Sequence, residues 1–201
     1  MYKKYLAEFI GTFALSFVVL IAVAATSGLP MAVQVIAGFT LALFVYSIGP
    51  ISGCHINPAV TLGQLSVKKI SLKDATVYIV AQFLGAWMAA LMAITVFDIY
   101  APMAGGAFDG KVFLAEMLGA FFFNFGIASV VYGRAKEQMS GLVVGGSLLF
   151  GVLVASLAGA SGILNPAVAL ALNSMTVVYL LAPIAGAILG FRVYRFVASG
   201  E

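Results

Sequence analysis

Charge is nearly missing from this sequence. Asp, Glu, Lys and Arg make up only 8% of its 201 residues, against roughly 25% in an ordinary soluble domain, which excludes a water-soluble fold. Cysteine and histidine occur once each, as Cys54 and His55. A lone cysteine excludes an internal disulfide. A lone histidine with one neighbouring cysteine lacks the partners a metal site needs, so His55 reads as a hydrogen-bonded loop residue. The sequence also has no nucleophile–base pair, metal-ligand cluster or phosphate-binding loop, so neither an enzyme nor a cofactor is expected.

What is present is apolar: 63% of residues, with a mean hydropathy of +1.14. The apolar residues gather into six stretches, about 4–26, 32–49, 72–97, 112–133, 139–159 and 176–197. Each is near the roughly 20 residues needed to cross a bilayer. The first carries Glu8 and no small-residue cleavage site, so it reads as a span rather than a cleaved signal peptide. The expected domain is a single polytopic membrane unit, 1–201. The net charge of +3 is a matter of topology rather than of nucleic acid. If the spans alternate, Lys3, Lys4, Lys68, Lys69, Lys73, Arg134, Lys136, Arg192 and Arg195 fall on one side, and only Lys111 falls on the other, with Asp98 and Asp109. Basic residues accumulate on the cytoplasmic side, so both termini are expected in the cytoplasm and the protein in the cell membrane.

The tripeptide Asn57-Pro58-Ala59 returns as Asn165-Pro166-Ala167, 108 residues later (165 − 57). The same offset aligns Ala7-Glu8-Phe9-Ile10-Gly11 with Ala115-Glu116-Met117-Leu118-Gly119, and Gly38 with Gly146. The chain therefore reads as two three-span repeats, about 1–100 and 109–201. An odd number of spans per copy forces the second to be inverted, and inverted repeats place a shared site near the midplane, often on broken helices. Gly85/Ala89 and Gly186/Gly190 put small residues four apart on a helix face, the pattern of close helix packing.

Pro suits the first turn of a helix and Asn is a favoured N-cap. The stretches from Asn57 to about Ser66 and from Asn165 to about Asn173 are too short to span. They read as half-helices entering from opposite sides, preceded by loops Ile51–Ile56 and Gly159–Leu164. Irregular backbone at that depth is tolerated where it lines a cavity or is buried in protein. Loop carbonyls would supply a file of acceptors, the two Asn amides central donors, and the helix dipoles a positive potential. Such a site passes neutral hydrogen-bonding molecules and repels cations and protons.

Ser52-Gly53-Cys54-His55-Ile56-Asn57-Pro58-Ala59-Val60-Thr61-Leu62-Gly63, the second motif, the Glu8 and Glu116 segments and Val178–Gly186 together resemble the aquaporin (major intrinsic protein) family over nearly the whole chain. The resemblance implies an all-α fold of six transmembrane helices with two re-entrant half-helices, and a homotetramer. It also implies that Glu8 and Glu116 support the pore loops, a role their duplication favours over a proton relay. His55 would stand at the cytoplasmic vestibule. The family's outer constriction, carried over by counting from the two Asn residues, falls on Ala37, Leu153, Gly162 and Val168. Water-selective members place an aromatic, often a His, and an Arg at the first, second and fourth of these. The glycerol pattern places Arg and then Asp after the second motif. Here Val168 and Ala169 stand in those places, and no Arg or Lys lies between Lys136 and Arg192 to replace the missing charge. Val at the fourth position also occurs among plant tonoplast intrinsic proteins.

Replacing an aromatic by Ala and Arg by Val widens the ring and removes a fork of donors. A wide ring admits larger solutes; an apolar ring of Leu153 and Val168 dewets. Both remain open from the sequence. The expected function is a passive channel for water and small neutral solutes of the glycerol, urea and ammonia class. The alternatives are an ion-coupled secondary transporter and a non-conducting membrane scaffold.

Overall fold

The computed structural model describes residues 2–25, 30–100 and 106–199. Among these residues the fold is all helical, with no strand. Six long helices cross the molecule: α1 (Lys3–Ala25), α2 (Pro30–Ser52), α4 (Leu72–Phe97), α5 (Gly110–Val131), α6 (Ser140–Leu157) and α8 (Val177–Ala198). Two short helices, α3 (Pro58–Ser66) and α7 (Pro166–Ala171), sit between them. The long helices have the length and apolarity to cross a membrane. Helices suit these stretches because, in lipid, each backbone N–H and C=O must find its partner within the segment. Residue 26 of the first expected span and the chain ends, 1 and 201, lie outside the described residues. Helix α2 runs past its expected end at 49, through Pro50 to Ser52. A proline so near the end removes a single ladder bond, and Gly53 N still donates to Gly49 O at 2.8 Å.

Each half packs its first long helix against its second and third, α1 on α2 and α4, α5 on α6 and α8. Glycine makes the closest of these approaches possible. A Cβ on Gly85 would collide with the Phe9 carbonyl, one on Gly186 with the Met117 carbonyl, and one on Gly190 would lie 2.6 Å from Phe121 O. The halves join where α2 meets α6. A Cβ on Gly38 would lie 2.9 Å from Gly145 O, and one on Gly145 would collide with Gly38 O.

That seam corrects a sequence alignment. Gly38 faces Gly145, whereas Gly146 has open space around it. The stretch from Gly145 to Asn165 spans 20 positions, that from Gly38 to Asn57 only 19. The second half therefore carries one extra residue between its second long helix and its motif.

The half-helices tie the halves together a second time. Helix α3 packs on α8, and α7 on α4, so each rests on the last long helix of the other half. Contacts at the ends of the long helices bring the basic residues to one face. Lys4 Nζ pairs with Asp74 Oδ1 at 2.8 Å, Lys69 sits 4.5 Å above the Tyr132 ring, and Arg134 Nη2 donates to Ala198 O at 3.0 Å. This is called the basic face below.

Candidate functional site

The two Asn-Pro-Ala motifs meet at the centre of the molecule. Asn57 and Asn165 have extended backbones and cap α3 and α7, with Pro58 and Pro166 as the first helical residues. Asn57 Oδ1 accepts from Ala59 N at 2.8 Å. Asn165 Oδ1 accepts from Ala167 N at 3.0 Å and from Val168 N at 3.4 Å. With the oxygen committed to its own helix, each amide nitrogen reaches across. Asn57 Nδ2 donates to Leu164 O at 3.0 Å, and Asn165 Nδ2 donates to Ile56 O at 3.1 Å. A carboxamide nitrogen has two hydrogens, so one on each Asn remains for a passing molecule. Two loop carbonyls expected to line the path, Ile56 and Leu164, are thus engaged in crossed bonds. No composition or periodicity signal discloses that pairing.

Glu8 and Glu116 shape the loops that lead to this centre. Both side chains are fully buried. Glu8 Oε1 accepts from His55 N at 2.9 Å and Ser52 Oγ at 2.7 Å; Oε2 accepts from Ile56 N at 2.6 Å and Gln82 Nε2 at 2.8 Å. Glu116 Oε1 accepts from Gly162 N at 2.6 Å and Ile163 N at 3.0 Å, and Oε2 from Leu164 N at 2.9 Å. Pulling successive N–H groups to one side requires left-handed residues. They occur at matching places: Cys54 and Ile56 with φ of 50° and 37°, Gly162 and Leu164 with φ of 69° and 52°. A β-branched residue such as Ile56 holds such a conformation only where its surroundings enforce it. The carboxylates supply that enforcement, and the carbonyls of the same peptides turn away from them.

His55 is 5% exposed. Its Nδ1 lies 3.1 Å from Thr61 Oγ1, and its ring meets Tyr78 edge-on at 5.2 Å between centroids. Tyr78 Oη donates to Ser52 O at 2.7 Å. Gln82 joins the same cluster through Thr61 Oγ1 at 3.0 Å. Its signal in the sequence is a polar side chain inside an apolar span, although nothing there says whom it touches.

A cavity of about 520 Å³ opens from the face opposite the basic one and reaches Asn57 and Asn165. Its walls are mostly apolar and carry no charged side chain among the described residues. A smaller cavity of about 50 Å³ lies toward the basic face. Leu41, His55 and Phe123 line both, so the path is pinched at these three. Of the four expected constriction residues, Ala37, Gly162 and Val168 line the larger cavity. Leu153 does not; Val152 stands there, with Leu148 and Ser156 one turn to either side. An extra residue ahead of Asn165 fits the shift, because counting back from Asn165 then stops one position short of the wall. A Cβ on Gly162 would lie 2.8 Å from Val152 Cγ1, which puts the two in direct contact.

The family model of the major intrinsic proteins matches residues 1–194. The chain belongs to the major intrinsic protein family. It is 33% identical to aquaporin AqpM of Methanothermobacter marburgensis, with 98% of both chains covered. It is 35% identical to glycerol uptake facilitator protein-like 6 of Lactiplantibacillus plantarum, covering 99% of this chain and all of the other. Its fold resembles the X-ray structure of the aquaglyceroporin from Plasmodium falciparum, with a TM-score of 0.72 and 21% identity over 98% of this chain and 96% of that one. In this member of the major intrinsic protein family, Ala37, Val152, Gly162 and Val168 line the larger cavity that reaches the crossed asparagines, and none of the four is aromatic or cationic.

Proposed function

We propose that this protein is a passive channel carrying water and small neutral solutes of the glycerol, urea and ammonia class through a pore within each subunit. The observation that carries the reading is the crossed asparagine pair on an uncharged path between two opposed helix N-termini. Relatives named as aquaporins and as a glycerol uptake facilitator support it. Two half-helix dipoles aim positive potential at the pair, which opposes cations and protons while neutral molecules hydrogen-bond and move on. Glu8 and Glu116 line neither cavity and are committed to loop N–H groups, which argues against ion-coupled transport. The open cavity argues against an inert scaffold.

The selectivity ring in this reading is Ala37, Val152, Gly162 and Val168. An open ring is favoured over a collapsed one, because one cavity touches all four residues and also Asn57 and Asn165. Asn57, Pro58, Ala59, Asn165, Pro166 and Ala167 form the centre, and Glu8, Glu116 and His55 support the loops. The chain acts as one channel domain, 1–201, of repeats about 1–100 and 109–201. The basic face lies in the cytoplasm of the cell with both termini. Exposed apolar side chains such as Phe39, Leu43 and Trp87 fit contact with lipid and with the other subunits of a homotetramer. The test is stopped-flow light scattering on proteoliposomes. Faster osmotic shrinkage, or faster uptake of glycerol, urea or ammonia, than in empty liposomes is expected. No acceleration for any of them in correctly inserted protein would overturn the reading.

A further inference from the structure

The last turns of α8 carry two cations along the edge of an exposed apolar stripe. One face of this helix is buried, through Ala182, Gly186, Ala187, Gly190 and Phe191. On the far side Leu189, Val193 and Phe196 are exposed, Phe196 to 80%, at the i, i+4, i+7 spacing of a single face. Arg192 and Arg195 lie on the boundary between the two. Leu189 precedes Arg192 by three positions and Phe196 follows it by four, so both are its neighbours on the helix surface. Arg195 comes four after Phe191, next to the contact with α3, where a Cβ on Gly63 would lie 2.6 Å from the Phe191 ring. Helix α3 ends beside these turns and leads into Lys68 and Lys69. Lys69 sits over Tyr132, whose ring stacks on Tyr194 at 5.9 Å between centroids. Arg192, Arg195 and Lys68 are all exposed. No acidic residue lies on α3, on the turn after it or on α8. Among the described residues the only ion pair is Lys4 with Asp74.

We propose that the end of α8 is a binding site for an anionic phospholipid, with the phosphodiester held by Arg192, Arg195 and Lys68 and the acyl chains lying on Leu189, Val193 and Phe196. Guanidinium groups donate to phosphate oxygens in pairs, and these two have no carboxylate to occupy them. Arg192 lies six residues inside the helix end (198 − 192), about 9 Å at 1.5 Å per residue. Its long stem therefore lies on the apolar stripe while its head reaches the phosphate level. An acidic peptide or a nucleic acid would answer the cations and leave the stripe uncovered. A zwitterionic lipid would cover the stripe but bring a cation of its own into the cluster. The site belongs to the frame rather than the pore, so it stands whatever solute the channel carries.

The experiment is native mass spectrometry of the full-length protein in detergent, titrated with dioleoylphosphatidylglycerol or dioleoylphosphatidylcholine. Wild type should bind the anionic lipid the more tightly. Arg192→Gln with Arg195→Gln should lower that affinity roughly twentyfold, close to fivefold for each cation removed at a membrane surface. Lys3→Gln with Lys136→Gln removes the same charge from other parts of the basic face and should leave the affinity unchanged. An equal loss in both double variants would mean a diffuse charge effect and overturns the proposal. Equal affinity of wild type for the two lipids overturns it too, as does displacement of the bound lipid by inorganic phosphate, the mark of a free-anion site. Water permeability in proteoliposomes, unchanged by substitutions outside the pore, shows that each variant is folded. If the arginine double variant does not fold, Arg192→Gln alone decides, with a fall of about fivefold expected and no fall overturning the site.

Discussion

Glu116 and Glu8 hold corresponding loops with unequal help. Glu8 has Ser52 and Gln82 beside its two backbone donors, whereas all three donors to Glu116 are backbone N–H groups. A buried N–H stripped of its acceptor costs about 1–3 kcal/mol. Glu116→Ala strips three such donors, all from the backbone, and Glu8→Ala strips two backbone donors together with the Gln82 amide and the Ser52 hydroxyl, so both should lower the thermal unfolding midpoint of the purified protein, the second at least as much as the first. An unchanged midpoint in either variant would show that its carboxyl group does not hold the loop. Val168 gives a different kind of test. Val168→Arg restores a guanidinium fork to a wide ring, so glycerol and urea permeation should fall several-fold relative to water in a proteoliposome assay. An unchanged solute range would place the constriction elsewhere. Phe123 is the candidate for that place, being one of three side chains at the pinch between the cavities. Phe123→Ala should raise the water rate measured by stopped flow, and a rate unchanged or lowered would show that the pinch does not limit flow.

Helix α6 shows how far a sequence can be read and where reading stops. Its membrane-crossing character is plain from apolar length, as are the caps at Asn57 and Asn165, because proline and asparagine have few other uses at a helix start. Its rotation is not. A one-residue lengthening of the following connection turns an α-helix by about a hundred degrees relative to its repeat, and repeat counting cannot detect it. Gly146 was expected one position late for this reason, and Gly145 does the packing; Val152, not Leu153, lines the cavity. A paired substitution makes the difference measurable. Gly145→Leu should abolish monodisperse elution of the protein in detergent, since even a Cβ there collides with the Gly38 carbonyl. Gly146→Leu, with nothing near it, should elute as wild type. The crossed asparagine bonds were hidden for another reason: they join residues 107 and 109 apart through backbone carbonyls, which have no side-chain signature. The empty filter charge, by contrast, is written openly in the composition between Lys136 and Arg192.

Across the whole molecule, polar groups divide into those that hold the frame and those left for the path. The carboxylates are spent on the frame, and the path retains amides and hydroxyls. Reconstituted protein should therefore carry water without carrying protons: with a pH dye inside the vesicles, an imposed gradient should decay no faster than in empty liposomes. A faster decay would mean that the two helix dipoles are insufficient once the filter cation is gone. The crossed asparagines have one more consequence. Each is a hook whose eye belongs to the other copy, so the central clasp closes only when both copies are sound. Duplication here gives no spare: a fault in the backbone geometry of either Ile56 or Leu164 removes one of the two bonds that hold the pair.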